Sequence, residues 1–321
     1  MNIKIFVSRR IDIKSYVIDN SIFVPIRCGA IYDIDREIDL EGDHIGVNIS
    51  SKRNSFCELT VQYWAWKNTE ADYYGLCHYR RYLNFAEKSF KTNKLNQVEE
   101  FCLNHNTALK YGLLDKERME ALIQQYDIIV NEAAKVLEIP TPKGCQHSVY
   151  NHWAAFDNVF IDKKVLPKLL KEIKELYPEL YLAAYEYLSG TLHRGYNCYV
   201  MKNDIFCRMC EFQFSILFSL EKELYKIGLL KNFERTMGYL GEILYGIYIF
   251  HLQKTQKYKI KELQLVYFEV TEISDSVVRE VINKILVRIK IRFEKIGFII
   301  FPKGTRRRNL VKKYYYQIVG K

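Results

Sequence analysis

The most unusual residues for chemistry are collected between positions 78 and 81. There the apolar run Tyr73-Tyr74-Gly75-Leu76-Cys77, which reads as a buried strand, ends in His78-Tyr79-Arg80-Arg81. Open α/β sheets bind ligands outside the carboxyl ends of their strands, so such a strand would deliver His78, Arg80 and Arg81 to a binding edge. Two guanidiniums there suit a diphosphate, because each is planar, permanently charged and able to grip phosphate oxygens bidentately. The alternative is a set of surface ion pairs with an acidic loop upstream, through Asp33, Asp35, Glu37, Asp39, Glu41 and Asp43. Asp33-Ile34-Asp35 in that loop is the chain's one Asp-x-Asp; it reads as solvated loop, with metal binding as the alternative.

Two further groupings offer acid–base chemistry. Glu242 follows Arg235 by seven residues, two helical turns, which puts both on one helix face as a ligand-binding or a structural pair. Asp157 lies five residues beyond His152, where the plain reading is a satisfied histidine near a helix end. The eight cysteines (28, 57, 77, 102, 145, 198, 207 and 210) lie mostly in apolar runs and are expected to be reduced and buried. Cys207 and Cys210 form a lone C-x-x-C without the second half a zinc site needs.

The elements that must position these residues follow from periodicity. Ile3–Val7 and Ser21–Ile26 read as strands. Ser55 with Glu58 forms a capping box that opens a helix through Leu59, Val61, Tyr63, Trp64 and Trp66. Residues 84–125 read as surface helix, 126–130 as a buried strand, and 165–176, 204–227 and 234–252 as helices. Asn197–Met201 and Leu263–Val270 complete the strands. Alternating strands and helices predict an α/β sandwich on a mostly parallel sheet. With 321 residues, 49% of them hydrophobic, the chain can bury one large domain, expected at 1–270, with residues 271–321 as an appendage. No run reaches the roughly 18 apolar residues of a membrane span, and the opening segment is too short for a signal-peptide core, so a cytoplasmic location is expected.

The net charge of +10 is unevenly placed. Residues 276–321 hold thirteen Lys/Arg against Glu280 and Glu294, a net of +11, which leaves residues 1–275 at −1. A nucleic-acid-binding body is thereby excluded. Val278, Ile282, Ile285, Ile289, Phe293 and Ile296 recur at amphipathic spacing opposite Lys284, Arg288, Arg292 and Lys295, predicting a helical tail that lies on an anionic membrane. A helix packed on the domain is the alternative.

The stretch Asn48-Ile49-Ser50, Asn54 to Thr60, Tyr63 to Asn68 and Asp72 to Tyr82 closely resembles a bacterial family from capsule and exopolysaccharide gene clusters. That family was long catalogued as a domain of unknown function, and some members are assigned as galactofuranosyltransferases of GT-A type. Weaker likeness runs through His152 and Asp157, Asn197–Met201 and Arg235 to Glu242, covering roughly residues 1–270. Cys198-Tyr199-Val200 departs from the family's usual Met-Phe-Ile, and the match over 144–157 is loose; both fall where the acceptor is expected.

The resemblance implies a GT-A-like Rossmann-type mixed sheet flanked by helices. It also implies inverting transfer of a hexosyl unit, best galactofuranose, from a UDP-sugar to a lipid-diphosphate-linked oligosaccharide at the inner face of the cell membrane. Val7, Ser8 and Arg9 then fall where such folds meet the nucleotide, and Ser50, Lys52, Asn54, His78, Arg80, Arg81, Asn197 and Arg235 join the donor side. Asp157, Glu242 and His152 are the candidate bases. No cofactor is expected, since arginines can neutralise a leaving diphosphate as a metal would, with Mg²⁺ or Mn²⁺ the alternative. The rivals are transfer of another hexose, such as galactopyranose or glucose, and a non-catalytic scaffold recruited to the membrane.

Overall fold

The computed structural model describes residues 1–34, 38–230 and 234–273. The predicted amphipathic tail therefore lies outside the described residues, as does Asp35. The chain begins with β1 (Ile3–Arg9), β2 (Phe23–Arg27), α1 (Arg53–Phe56), α2 (Leu59–Asn68), β3 (Tyr73–His78) and β4 (Arg81–Leu83). There follow β5 (Gln97–Cys102), α3 (His105–Lys110), α4 (Lys116–Ile123), β6 (Ile128–Asn131), β7 (Ala134–Lys135), α5 (Val149–Ala154), α6 (Val165–Leu176) and α7 (Pro178–Ser189). The described chain closes with β8 (Leu192–His193), β9 (Tyr199–Lys202), α8 (Asn203–Lys226), α9 (Thr236–Thr255), β10 (Ile260–Leu263) and β11 (Leu265–Val270).

Among the described residues nine strands form one sheet in the order β10-β6-β9-β3-β4-β11-β5, with β1 on the free side of β3 and β2 on β1. The sheet is mixed. β1 runs parallel to β2 and β3, but β9 is antiparallel to both β3 and β6, and β4 to both β3 and β11. The expectation of a mostly parallel sheet is corrected on this point: the tight β3–β4 hairpin reverses the chain, and β9, reached from β6 through α5, α6 and α7, returns against both its neighbours.

Side chains alternate across the two central strands. Phe6, Tyr74 and Leu76 enter one core with α2, α8 and α9, while Ile5, Val7, Tyr73 and Cys77 enter the other with α4 and β11. Both faces of β1 and β3 are thus covered, which is why these strands read as unbroken apolar runs. At Gly75 a Cβ would stand 2.8 Å from the Tyr199 carbonyl oxygen, so the β3–β9 approach needs glycine there.

Two sequence expectations are overturned. Residues 97–102 form a strand rather than helix: β5 pairs with β11 at the end of the sheet and alternates buried Gln97, Val98 and Cys102 with more open Glu99 and Glu100. The Ser55–Glu58 capping box does not form. Cys57 adopts φ 53° and divides α1 from α2, and the Glu58 carboxylate accepts from Asn197 Nδ2 at 3.0 Å instead of capping.

The segment leading to α1 is pinned by Asp43, which is fully buried. Its carboxylate accepts from the N–H groups of Gly29 and Ala30 at 2.9 and 3.0 Å and from the hydroxyls of Ser50 and Thr60, each at 2.5 Å. One buried charge with four donors thereby fixes the turn after β2, the start of α1 and the first turn of α2 together. Gln62 donates to Gln213 at 2.7 Å, and Gln213 to the Gly241 carbonyl at 3.0 Å, which locks α2 to α8 and α9.

Candidate active site

Ser8 and His78 are register partners at the carboxyl ends of parallel β1 and β3. A cleft of about 360 Å³ opens just beyond them, lined by Ser8, Arg9, Arg10, Arg53, Asn54, Glu58, His78, Tyr79, Arg80, Glu234 and Arg235 together with Cys28 and Cys57. That size is within the range of small-ligand pockets. The β3–β4 hairpin turns at Tyr79-Arg80, and the Arg80 carbonyl is held by the Phe268 N–H at 2.8 Å, so Arg80 and Arg81 have a rigid base.

The arginines of this cleft outnumber the carboxylates that line it, Glu58 and Glu234. Arg10 pairs with Asp12, but among the described residues Arg53, Arg80, Arg81 and Arg235 form no ion pair with a carboxylate. The acidic loop is occupied elsewhere: Asp33 pairs with Arg27 and Asp43 is enclosed in its own cluster. Among the described residues no carboxylate of that loop pairs with Arg80 or Arg81. Aromatic faces support the guanidiniums instead: Arg81 lies 4.6 Å from the Tyr196 ring centroid, and Arg80 and Arg81 lie 5.6 and 5.3 Å from that of Tyr267. The Nε atoms of Arg80 and Arg81 are buried without a hydrogen-bond partner. His78 stands among these cations; burial pushes its pKa well down, and Arg81, Arg80, Arg235 and Arg10 push it further. It is a neutral imidazole at pH 7.

Two carboxylates meet at the other side of the cleft. Glu58 is held by Asn197, and Glu242 accepts from the Tyr196 N–H at 3.2 Å. Both contacts come from consecutive residues in the left-handed region, Tyr196 at φ 74° and Asn197 at φ 43°. Such backbone is unfavourable for non-glycine residues and clusters at functional sites. Glu242 keeps some solvent contact, yet the surrounding protein desolvates it. Burial, followed by the charge of Glu58, raises its pKa to about 7 against the pull of the Tyr196 N–H, Arg81 and Arg235. The thiols of Cys28 and Cys57 are pushed up to about 12 and about 11, chiefly by burial, so neither supplies a thiolate nucleophile at pH 7.

The sequence-predicted residues thus divide. Ser8, Asn54, His78, Arg80 and Arg235 line the cleft, with Arg81, Asn197 and Glu242 adjoining them. Arg9 also borders it, but its guanidinium turns away to the carbonyls of Ser15 and Tyr16. Val7 is core, Ser50 belongs to the Asp43 cluster, and Lys52 reaches Glu221 at 2.7 Å, so these three are not brought to the cleft.

Asp157 lies beyond α5, where it accepts from the Lys163 N–H at 3.0 Å and meets its ammonium at 3.4 Å. Burial raises its pKa, but Lys163 outweighs burial and leaves it below the ordinary value, a poor base. His152 is buried, with its pKa pushed down to about 4 by desolvation. Arg10, Arg53, Tyr79, Tyr196 and Tyr267 carry no recognisable spacing, and the fold alone gathers them. Glu58 was legible only as a helix cap. Of the Asp-x-Asp, Asp33 is committed to Arg27, and among the described residues no group of three His, Cys, Asp or Glu could hold a metal ion.

The description "Domain of unknown function (DUF4422)" matches residues 4–256. The chain belongs to this family. Every residue lining the cleft lies within the DUF4422 segment, as do Arg81, Asn197 and Glu242. Among solved structures this DUF4422 chain is similar to the apo structure of WbbM, a bifunctional glycosyltransferase, at 29% identity and a TM-score of 0.76. The alignment covers 86% of this chain and 48% of that one, so the chain spans about half the length of WbbM. No curated protein sequence matches it.

The raised pKa of Glu242 has a consequence for stability. The native state retains a proton that the unfolded state releases near 4.5, so folding is weakened as pH rises from about 4.5 to about 7 and stays weakened above that. Glu242→Gln removes the ionisable group while keeping the shape. Its melting temperature should exceed that of the wild type, by a margin that grows between pH 5 and pH 8; an identical margin at both pH values would show that Glu242 is not perturbed.

Proposed function

We propose that the chain is a glycosyltransferase that moves a hexosyl unit from a nucleoside-diphosphate sugar to a carbohydrate hydroxyl. The observation that carries this reading is the set of guanidiniums without carboxylate partners at the ends of β1 and β3, facing a carboxylate whose pKa lies near 7. Likeness to a named glycosyltransferase supports it. The donor is a UDP-sugar, galactofuranosyl by the family resemblance, and the acceptor a lipid-diphosphate-linked oligosaccharide.

In the reaction the bond between the anomeric carbon and the diphosphate oxygen breaks, and its electron pair leaves on the nucleoside diphosphate. A bond to the acceptor oxygen forms, and the acceptor proton passes to Glu242. Arg53, Arg80 and Arg235 stabilise the charge that accumulates on the diphosphate, and they need no reorganisation to do so because the fold has already placed them. Glu242, its pKa raised by burial and by Glu58 beside it, suits proton removal from a hydroxyl. Neutral His78 adds a polar contact without adding charge. On this reading turnover needs no divalent cation.

Turnover is measured as UDP release from a panel of UDP-hexoses. Arg80→Ala should lower kcat/KM by about 100-fold, in line with the loss of one transition-state donor, and Arg81→Ala should lower it by loosening the Tyr196 turn that holds Glu242. Lys replacements should recover only part, because the bidentate fork is lost. Activity should survive EDTA and rise with pH through about 7. Near-normal rates in both Ala variants, or abolition by EDTA with rescue by Mn²⁺, would reject the assignment.

Among the described residues no helix is long and apolar enough to cross a membrane. We infer from the +11 charge of residues 276–321 that this segment holds the enzyme on an anionic leaflet, at about 1 kcal/mol per basic residue near the surface. The full chain should float with phosphatidylglycerol liposomes, and a chain ending at residue 275 should not. Equal flotation with neutral liposomes would contradict this.

A further inference from the structure

An aromatic surface continues from the cleft on the side of Arg235. The Arg235 guanidinium lies 5.4 Å from the Tyr239 ring centroid. Tyr239 in turn stands 5.4 Å from Phe160 and 5.6 Å from Trp153, and Phe160 stacks on Phe156 at 4.8 Å and 27°. Tyr239, Phe156 and Phe160 are all half-buried. His152 and Trp153 close the inner side of the cluster, the His152 ring 5.3 Å from that of Phe156 and both side chains buried. Tyr239 is three residues from Glu242, on the same side of α9, so whatever rests on Tyr239 lies beside that carboxylate.

Partly exposed aromatic rings that border a charged cleft suit a ligand with one apolar face and a polar rim. A sugar ring has this character: its axial C–H bonds form one face and its hydroxyls the edge. We propose that Tyr239 and Phe160 form the acceptor subsite, stacking one saccharide ring with its reacting hydroxyl directed to Glu242. The inference rests on the glycosyltransferase reading and adds where the acceptor binds. The uridine ring of the donor is the competing occupant.

Saturation-transfer NMR on the full chain with the methyl glycosides of galactose, glucose, mannose and rhamnose tests this directly, alongside calorimetry with UDP. At least one glycoside should bind, with saturation concentrated on the C–H protons of one face. Phe160→Ala should weaken it roughly 10-fold, the scale of one lost aromatic contact, and leave UDP affinity unchanged. Phe160→Leu keeps the apolar bulk without the ring; should the alanine variant fail to fold, the leucine variant must still weaken the glycoside. No binding by any of the four glycosides, or binding indifferent to Phe160, overturns the subsite. Weakened UDP in place of weakened glycoside assigns the surface to the nucleobase and equally overturns it. Absence of UDP binding to the wild type would count against the donor reading, and the glycoside result would stand or fall separately.

Discussion

Four guanidinium groups gathered at one end of a sheet repel one another, and most proteins would place carboxylates among them. Of the carboxylates nearby, Asp33 is engaged by Arg27, Asp43 by four donors of its own and Glu58 by Asn197, while Glu234 lines the cleft without an ion pair to these arginines among the described residues. The electrostatic strain has to be borne by the scaffold. Double-sided burial of β1 and β3 gives the rigidity, the Asp43 cluster fixes the loop that brings Arg53 and Asn54 alongside, and the rings of Tyr79, Tyr196 and Tyr267 support the cations without cancelling them. A site held in this way is prepared for an anion, and binding one relieves the repulsion.

The same field governs the acid–base side. Burial and Glu58 raise the pKa of Glu242, while the Tyr196 N–H, Arg81 and Arg235 oppose them, and the balance falls at about 7. The left-handed turn at Tyr196-Asn197 is what couples the two carboxylates, since one residue donates its backbone N–H to Glu242 and the next its amide to Glu58. Arg81, stacked on Tyr196, ties that turn to the cationic hairpin.

How much of this could be read from the residues alone depends on whether the cause was local. β1, β3 and the helices α8 and α9 announced themselves because burial on both faces, or a long apolar period, leaves a mark in the order of residues. His78, Arg80 and Arg81 were legible because they directly follow such a strand. β5 was not, since an end strand that leaves Glu99 and Glu100 more open than its other residues shares its composition with a surface helix. Glu58 matched a capping signature four residues long, and a contact 139 residues away overrode it. Asp157 looked like a free carboxylate until Lys163 closed on it, and Lys52 like a donor ligand until Glu221 did. Arg10 and Arg53 were silent, because the pairing of β1 with β3 brings the first to the cleft and the Asp43 cluster the second.

The central claim is that uncompensated positive charge at the ends of β1 and β3 is a nucleoside-diphosphate site. Isothermal titration of the full chain with UDP, compared with uridine, tests it most directly. The account predicts UDP affinity in the micromolar range that weakens with added salt, together with uridine affinity at least about 100-fold lower, because most of the binding free energy comes from the diphosphate. Equal affinity for UDP and uridine, or no detectable heat from either, would contradict it.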